Sequence, residues 1–240
     1  MSRTAQRTRA AELRAGLLAV APLALGSIPF GLIYGVLAVK AGIPPLLAIA
    51  IPAIVFAGSA QFMITQLVGA GTPSALIVLS VLTINLRHAL YSAALAAPLA
   101  HLGRGWRALL AYLLTDEAYA ASIKRFAESD GGAYRHWFLL GSGLGLWCLW
   151  QISCIAGVAL GSAVPARWSL EFAGTLTFIA IVVPMLRDRA AWGAMAVAGL
   201  VAVAANSLPY KLAIMAAALA GMTAACAIEL SRPAARGDLR

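Results

Sequence analysis

The chain has 240 residues, of which 62% are hydrophobic and 11% charged, less than half the charged share of an ordinary soluble domain, which is about 25%. Its formal net charge is +9. The basic residues are scattered over termini and short connections rather than gathered on one face, which excludes a nucleic-acid-binding domain and leaves them as orientation signals of a membrane protein.

The first fourteen residues are basic and polar. The apolar run that follows, Ala15–Val39, is longer than the core of a cleaved signal peptide and reads as a retained spanning helix. Seven more apolar segments follow: Pro44–Gly71, Pro73–Ala100, Ala108–Ile123, Trp137–Val164, Leu170–Leu186, Ala190–Ala205 and Pro209–Ile228. One crossing takes about 20 apolar residues, and the stretch from Ala41 to Leu86 alone, without any Asp, Glu, Lys or Arg, is long enough for two. The runs do not alternate as barrel strands do, so the expected fold is an all-α polytopic transmembrane bundle with discontinuous helices, of eight spans or of seven with one segment re-entrant. The expected organisation is a basic cytoplasmic N-terminus over 1–14, a single transmembrane domain over 15–230 and a basic tail over 231–240. No repeat between the halves is legible, which leaves open an inverted repeat too diverged to see.

With eight spans and a cytoplasmic N-terminus, twelve Lys and Arg fall inside and five outside (Lys40, Arg104, Arg107, Arg167 and Lys211), with Arg87 left within a span. Trp106, Trp137, Trp168 and Trp192 fall near span ends, where indoles favour the interface, while Trp147 and Trp150 lie mid-span. Cys148, Cys154 and Cys226 form no CxxC or Cys/His cluster and read as small apolar residues; neither a metal nor a cofactor is expected.

Four places break the apolar pattern. Pro29, within Ser27-Ile28-Pro29-Phe30, marks an expected kink in the first helix. In Phe56-Ala57-Gly58-Ser59-Ala60-Gln61-Phe62, after Pro52, small residues allow the helix to unwind or a neighbour to approach. Gly58, Ser59 and Gln61 could then contact a solute; plain helix packing with Gln61 as a bridge is the competing reading. In Asn85-Leu86-Arg87-His88, Arg87 lies roughly 20 Å from either end of a continuous helix, beyond the reach of snorkelling. It needs a partner or a wet cavity. In Leu114-Thr115-Asp116-Glu117, two adjacent carboxylates need a cation or a raised pKa. Arg87 with Asp116 or Glu117 is the natural pair; a purely structural ion pair is one competing reading, and a fourth segment not fully inserted, with Asp116 and Glu117 in water, is another. Asn85 would add hydrogen bonds, and His88, Asp116 and Glu117 are candidates for proton or charge coupling.

These motifs resemble those of the AzlC-like branched-chain amino acid permeases of bacteria. The likeness is carried by Ile28-Pro29-Phe30-Gly31 with Gly35, by Phe56–Phe62, by Asn85–His88 with Tyr91, and by Leu114–Glu117. It covers about the first half of the chain, with fainter echoes at Leu170-Glu171-Phe172 and Val183-Pro184; the family often has Asp where Glu171 stands. The resemblance implies a non-enzymatic exporter of branched-chain or related amino acids in the bacterial inner membrane. It also implies a small hydrophobic AzlD-like partner subunit. No nucleotide-binding motif is present, so the expected drive is an ion gradient. Other classes are an intramembrane hydrolase using Ser59 and His88, and a structural subunit that transports nothing.

Overall fold

The structure is a computed structural model that describes residues 8–127, 134–161, 188–208 and 212–231, together with Val183 and Leu186. The expected sixth segment, Glu171 and the basic tail lie outside the described residues. Among the described residues the chain forms helices α1 (Arg9–Lys40), α2 (Pro45–Ile54), α3 (Gly58–Gly69), α4 (Ser74–Leu99), α5 (Arg104–Tyr112), α6 (Asp116–Ala127), α7 (Arg135–Gly161), α8 (Arg189–Ala204) and α9 (Leu212–Leu230). Three of them, α1, α4 and α7, are long and apolar enough to cross a membrane. The all-α membrane bundle read from composition is therefore the fold of the described residues. The helices group into two compact units, Met1–Gly69 with Val81–Trp168, and Ala70–Ser80 with Ser169–Arg240.

In the first unit α1 and α7 run parallel and nearly touch. Gly16 faces the backbone of Phe138, Gly31 faces Ser153, and Gly35 faces Cys154, Gly157 and Val158 in register along both helices. A Cβ on Gly157 would lie 2.2 Å from the Leu32 carbonyl oxygen, and one on Gly35 would lie 2.4 Å from the Val158 nitrogen. In lipid no hydrophobic force drives helices together, so such close approach through small residues supplies the dispersion energy that does. α1 is unbroken through Pro22 and Pro29.

The second and fourth apolar segments do not follow the straight path expected of a crossing. Each is a pair of short helices that doubles back. α2 leaves the Lys40 end and descends beside α1, where Ala48 meets Tyr34. The chain breaks over Val55, Phe56 and Ala57. α3 then climbs from Gly58, beneath the Trp150 ring, past Phe62 at Tyr34, to Gly69, whose Cβ would lie 3.5 Å from that of Ala41. α5 enters from the opposite end, where Trp106 packs on Trp137 with ring centroids 5.2 Å apart. It reaches Trp147 through Tyr112 and breaks over Leu113, Leu114 and Thr115. α6 returns to the Arg9 end, where Arg125 pairs with the buried Glu12. Arg104 and Arg107 therefore share an end with Arg9 and Arg135, where an eight-span path had put them opposite.

Proline explains one of the breaks in detail. Pro52 has no N–H for the carbonyl of Ala48, one turn earlier. The Tyr34 hydroxyl, fully buried, donates to that carbonyl at 3.0 Å instead. The second unit contains α8 and α9, packed through Gly221 against Ala194 and Gly193 against Ile228, with Asp188 capping α8 at the Ala191 N–H.

Candidate functional site

The breaks of the two hairpins leave polar backbone groups beside Trp147 and Trp150, near the middle of the long apolar α7, where each must find a partner. At the first tip Gln61 supplies much of this. Its Nε2 donates to the Val55 carbonyl at 2.8 Å, and its Oε1 accepts from Trp150 Nε1 at 3.0 Å. Gln61 is completely buried, with both ends of its amide engaged by the protein. Gly58 lies against the Trp150 ring, 3.1 Å from a Cβ placed there, so a side chain at that position would push on the indole. Tyr112 Oη donates to the Ala53 carbonyl, another acceptor near the α2 terminus, and accepts from Trp147 Nε1 at 2.7 Å.

At the second tip Thr115 caps α6 by accepting from the Ala118 N–H at 3.3 Å. Asp116 and Glu117 thus occupy the first turn of a helix rather than its middle. The partial positive charge of the helix N-terminus favours carboxylates there, which lowers the cost of placing two side by side.

Arg87 of α4 joins the tips. Its Nη1 lies 2.7 Å from Asp116 Oδ2, and its Nη2 donates to Ser59 Oγ at 2.7 Å. One guanidinium therefore holds α3 and α6 at their N-termini. Tyr91, one turn further along α4, donates its hydroxyl to Asp116 Oδ1 at 2.7 Å and stacks on Tyr119, with ring centroids 4.5 Å apart. The Arg87 and Asp116 side chains are 32% and 40% exposed, so the pair is only partly buried. Arg87 Nε and Asn85 Oδ1, a donor and an acceptor, are buried with no partner among the described residues. His88 Nδ1 faces the Asn85 carbonyl at 3.3 Å, and the His88 ring meets Tyr91 edge-on. Ser59 and His88 are thus engaged by different partners.

Beside the second tip is an apolar cavity of about 180 Å³, lined by Ser92, Leu95, Leu99, Arg107, Leu110 and Leu114 among others. Drug-sized ligand sites run to roughly 300–1,000 Å³, so this one suits a small solute.

The structure brings Ser59, Arg87 and Asp116 together, with Gly58 and Gln61 just behind Ser59 on the same hairpin. Glu117 follows Asp116 on α6 but is not the carboxylate that Arg87 takes. Sequence reasoning named Tyr91 within its motif but gave it no role. Its spacing of four from Arg87 places both on one helix face, so that signal was legible. Tyr112, Trp147 and Trp150 carried none, since their partners are remote in the chain.

A family model described as AzlC protein matches residues 22–164. The chain is 28% identical over 144 residues to the inner membrane protein YgaZ of Escherichia coli, an alignment covering 60% of this chain and 58% of that one. It is 31% identical over 219 residues to an uncharacterized membrane protein of Archaeoglobus fulgidus, covering 89% of this chain and 94% of that one. No solved structure matches.

Proposed function

Because this chain belongs to the AzlC family of membrane proteins, we propose that it is the permease subunit of an exporter of branched-chain or related amino acids, driven by an ion gradient across the bacterial inner membrane. The observation that carries this reading is the Arg87–Asp116 pair between two helix breaks, with a 2.7 Å contact and both side chains partly exposed. An amino acid is a zwitterion, and a site within lipid must meet both its charges. The guanidinium would receive the carboxylate, with Ser59 and the free amides near Gly58 beside it. Asp116 or Glu117 would face the ammonium. Arg87 Nε and Asn85 Oδ1 offer one more donor and one more acceptor. Protonation of Asp116, Glu117 or His88 would couple export to the gradient.

The positive-inside rule supports a cytoplasmic Arg9 end. Of the eleven Lys and Arg up to Gly161, nine flank that end: Arg3, Arg7, Arg9, Arg14, Arg104, Arg107, Lys124, Arg125 and Arg135. Lys40 flanks the other end, and Arg87 stands between. A small hydrophobic AzlD-like subunit completes the proposed exporter.

The test is export of a panel of amino acids from cells carrying the wild-type, Arg87→Ala or Asp116→Asn protein, with membrane levels matched. A hydrogen bond to a charged group is worth about 1.5–3 kcal/mol, so each variant should lose roughly tenfold or more in rate. Undiminished export by both would remove the pair from the mechanism.

A further inference from the structure

The two hairpins obey a numerical relation. Tyr34 and Tyr91 are 57 positions apart, as are Phe62 and Tyr119, and as are Ser59 and Asp116. Moving α2 forward by the same 57 positions gives 102–111, against the observed Arg104–Tyr112. Moving α3 gives 115–126, against Asp116–Ala127.

The matched residues also do matched work. Tyr34, on the long helix before the first hairpin, donates to that hairpin at Ala48 and meets Phe62 edge-on, with centroids 6.2 Å apart. Tyr91, on the long helix before the second, donates to that hairpin at Asp116 and stacks on Tyr119. Ser59 and Asp116 each follow a helix break by one or two residues and bind the same guanidinium.

The directions are opposite. α1 runs toward the Lys40 end, and its hairpin opens there, with Gly69 beside Ala41. From Arg87 onward α4 runs toward the Arg9 end: His101, just beyond it, meets His136, with centroids 6.1 Å apart. The second hairpin opens at that end. Each unit is thus one long helix followed by a hairpin that re-enters from the face the helix has just reached.

We infer that α1–α3 and α4–α6 are an inverted repeat of one unit, and that its two re-entrant tips are opposed gates of a single pathway, latched shut by Arg87. A residue bound to both tips can hold both closed. Opening either one requires Arg87 to release Ser59 or Asp116, and an arriving carboxylate is the chemical group that would take the freed donors. The tips are alike in backbone and unlike in charge: the first carries no ionisable side chain, the second carries Asp116 and Glu117. Proton or charge control would then act on the gate opening toward the Arg9 end. The gating role rests on the transport reading above; the repeat itself does not.

The experiment has two arms, both in the full-length protein with its three cysteines replaced. In the first, single cysteines at Pro44, Gly69, Arg104 and Phe126 are labelled in sealed vesicles by a membrane-impermeant maleimide applied to one face. Pro44→Cys and Gly69→Cys should react from one face, and Arg104→Cys and Phe126→Cys from the other. Labelling of Gly69→Cys from the face opposite to Pro44→Cys would overturn the repeat, whether or not any solute is found. In the second arm, Phe56→Cys with Tyr112→Cys, at rings 6.3 Å apart, is bridged by a short reducible bis-thiol reagent. Ala53→Cys with Tyr112→Cys is the second pair. Bridging either pair should stop export, with recovery on reduction and no loss from a monofunctional thiol reagent. Export that continues through bridged tips would overturn the gates while leaving transport standing. Absence of export by the unbridged protein would overturn the transport reading and the gates together, leaving the repeat to the labelling arm.

Discussion

Ser59 and Asp116 sit on hairpins that enter the protein from opposite ends, yet both bind Arg87 at 2.7 Å. A charge that is costly in lipid has thereby become the fastener of the two breaks. Its cost is lowered by the Asp116 carboxylate, which is itself favoured at the N-terminus of α6 and receives the Tyr91 hydroxyl on its other oxygen.

That arrangement predicts strong coupling between Arg87 and Asp116. Removing one partner strands the other charge, whereas removing both strands none. Arg87→Ala and Asp116→Ala should each lower the melting temperature in detergent, and the double variant should lose less than the sum of the two single losses. A coupling of about 0.5–3 kcal/mol is expected, toward the low end because both side chains are partly exposed. Additive losses in a double-mutant cycle would show that the two do not act as a pair.

Tyr34 and Pro52 should show rescue. Tyr34→Phe leaves the Ala48 carbonyl without the donor that replaces the one proline lacks, a loss of about 1–3 kcal/mol. Adding Pro52→Ala supplies a backbone N–H in the ordinary helical position. The double variant should recover part of the stability lost by Tyr34→Phe alone, measured by thermal unfolding. No recovery would mean that the tyrosine acts by packing.

At the Arg9 end, Glu12 is 4% exposed and takes Arg125 through two nitrogens, one of them at 3.3 Å. Arg125→Ala leaves a buried carboxylate, and a broken buried pair costs about 3–5 kcal/mol. The variant should lose folded yield. Arg125→Ala with Glu12→Gln should regain much of it, because the neutral amide needs no counter-charge. Equal yields of the single and double variants would show that charge is not the cause.

The amino-acid sequence alone determined the solvent of this protein and the helical fold. Runs of apolar residues without charge admit only helices that satisfy their own backbone, and that condition is local. It also marked Pro52 with Gly58 as a place where a helix could unwind, and it required of Arg87 a partner, but it read Thr115-Asp116-Glu117 only as two carboxylates in need of a cation and not as a second break. It could not determine where the chain goes after a break. A crossing and a hairpin have the same composition. The choice is made by contacts between residues far apart in number: Gly69 against Ala41, Trp106 against Trp137, Glu12 with Arg125. Nor could it choose Asp116 over Glu117, which are adjacent in sequence but differ by about 100° around the helix axis. Tertiary packing decided that, by setting Asp116 against Arg87 and Tyr91 of α4.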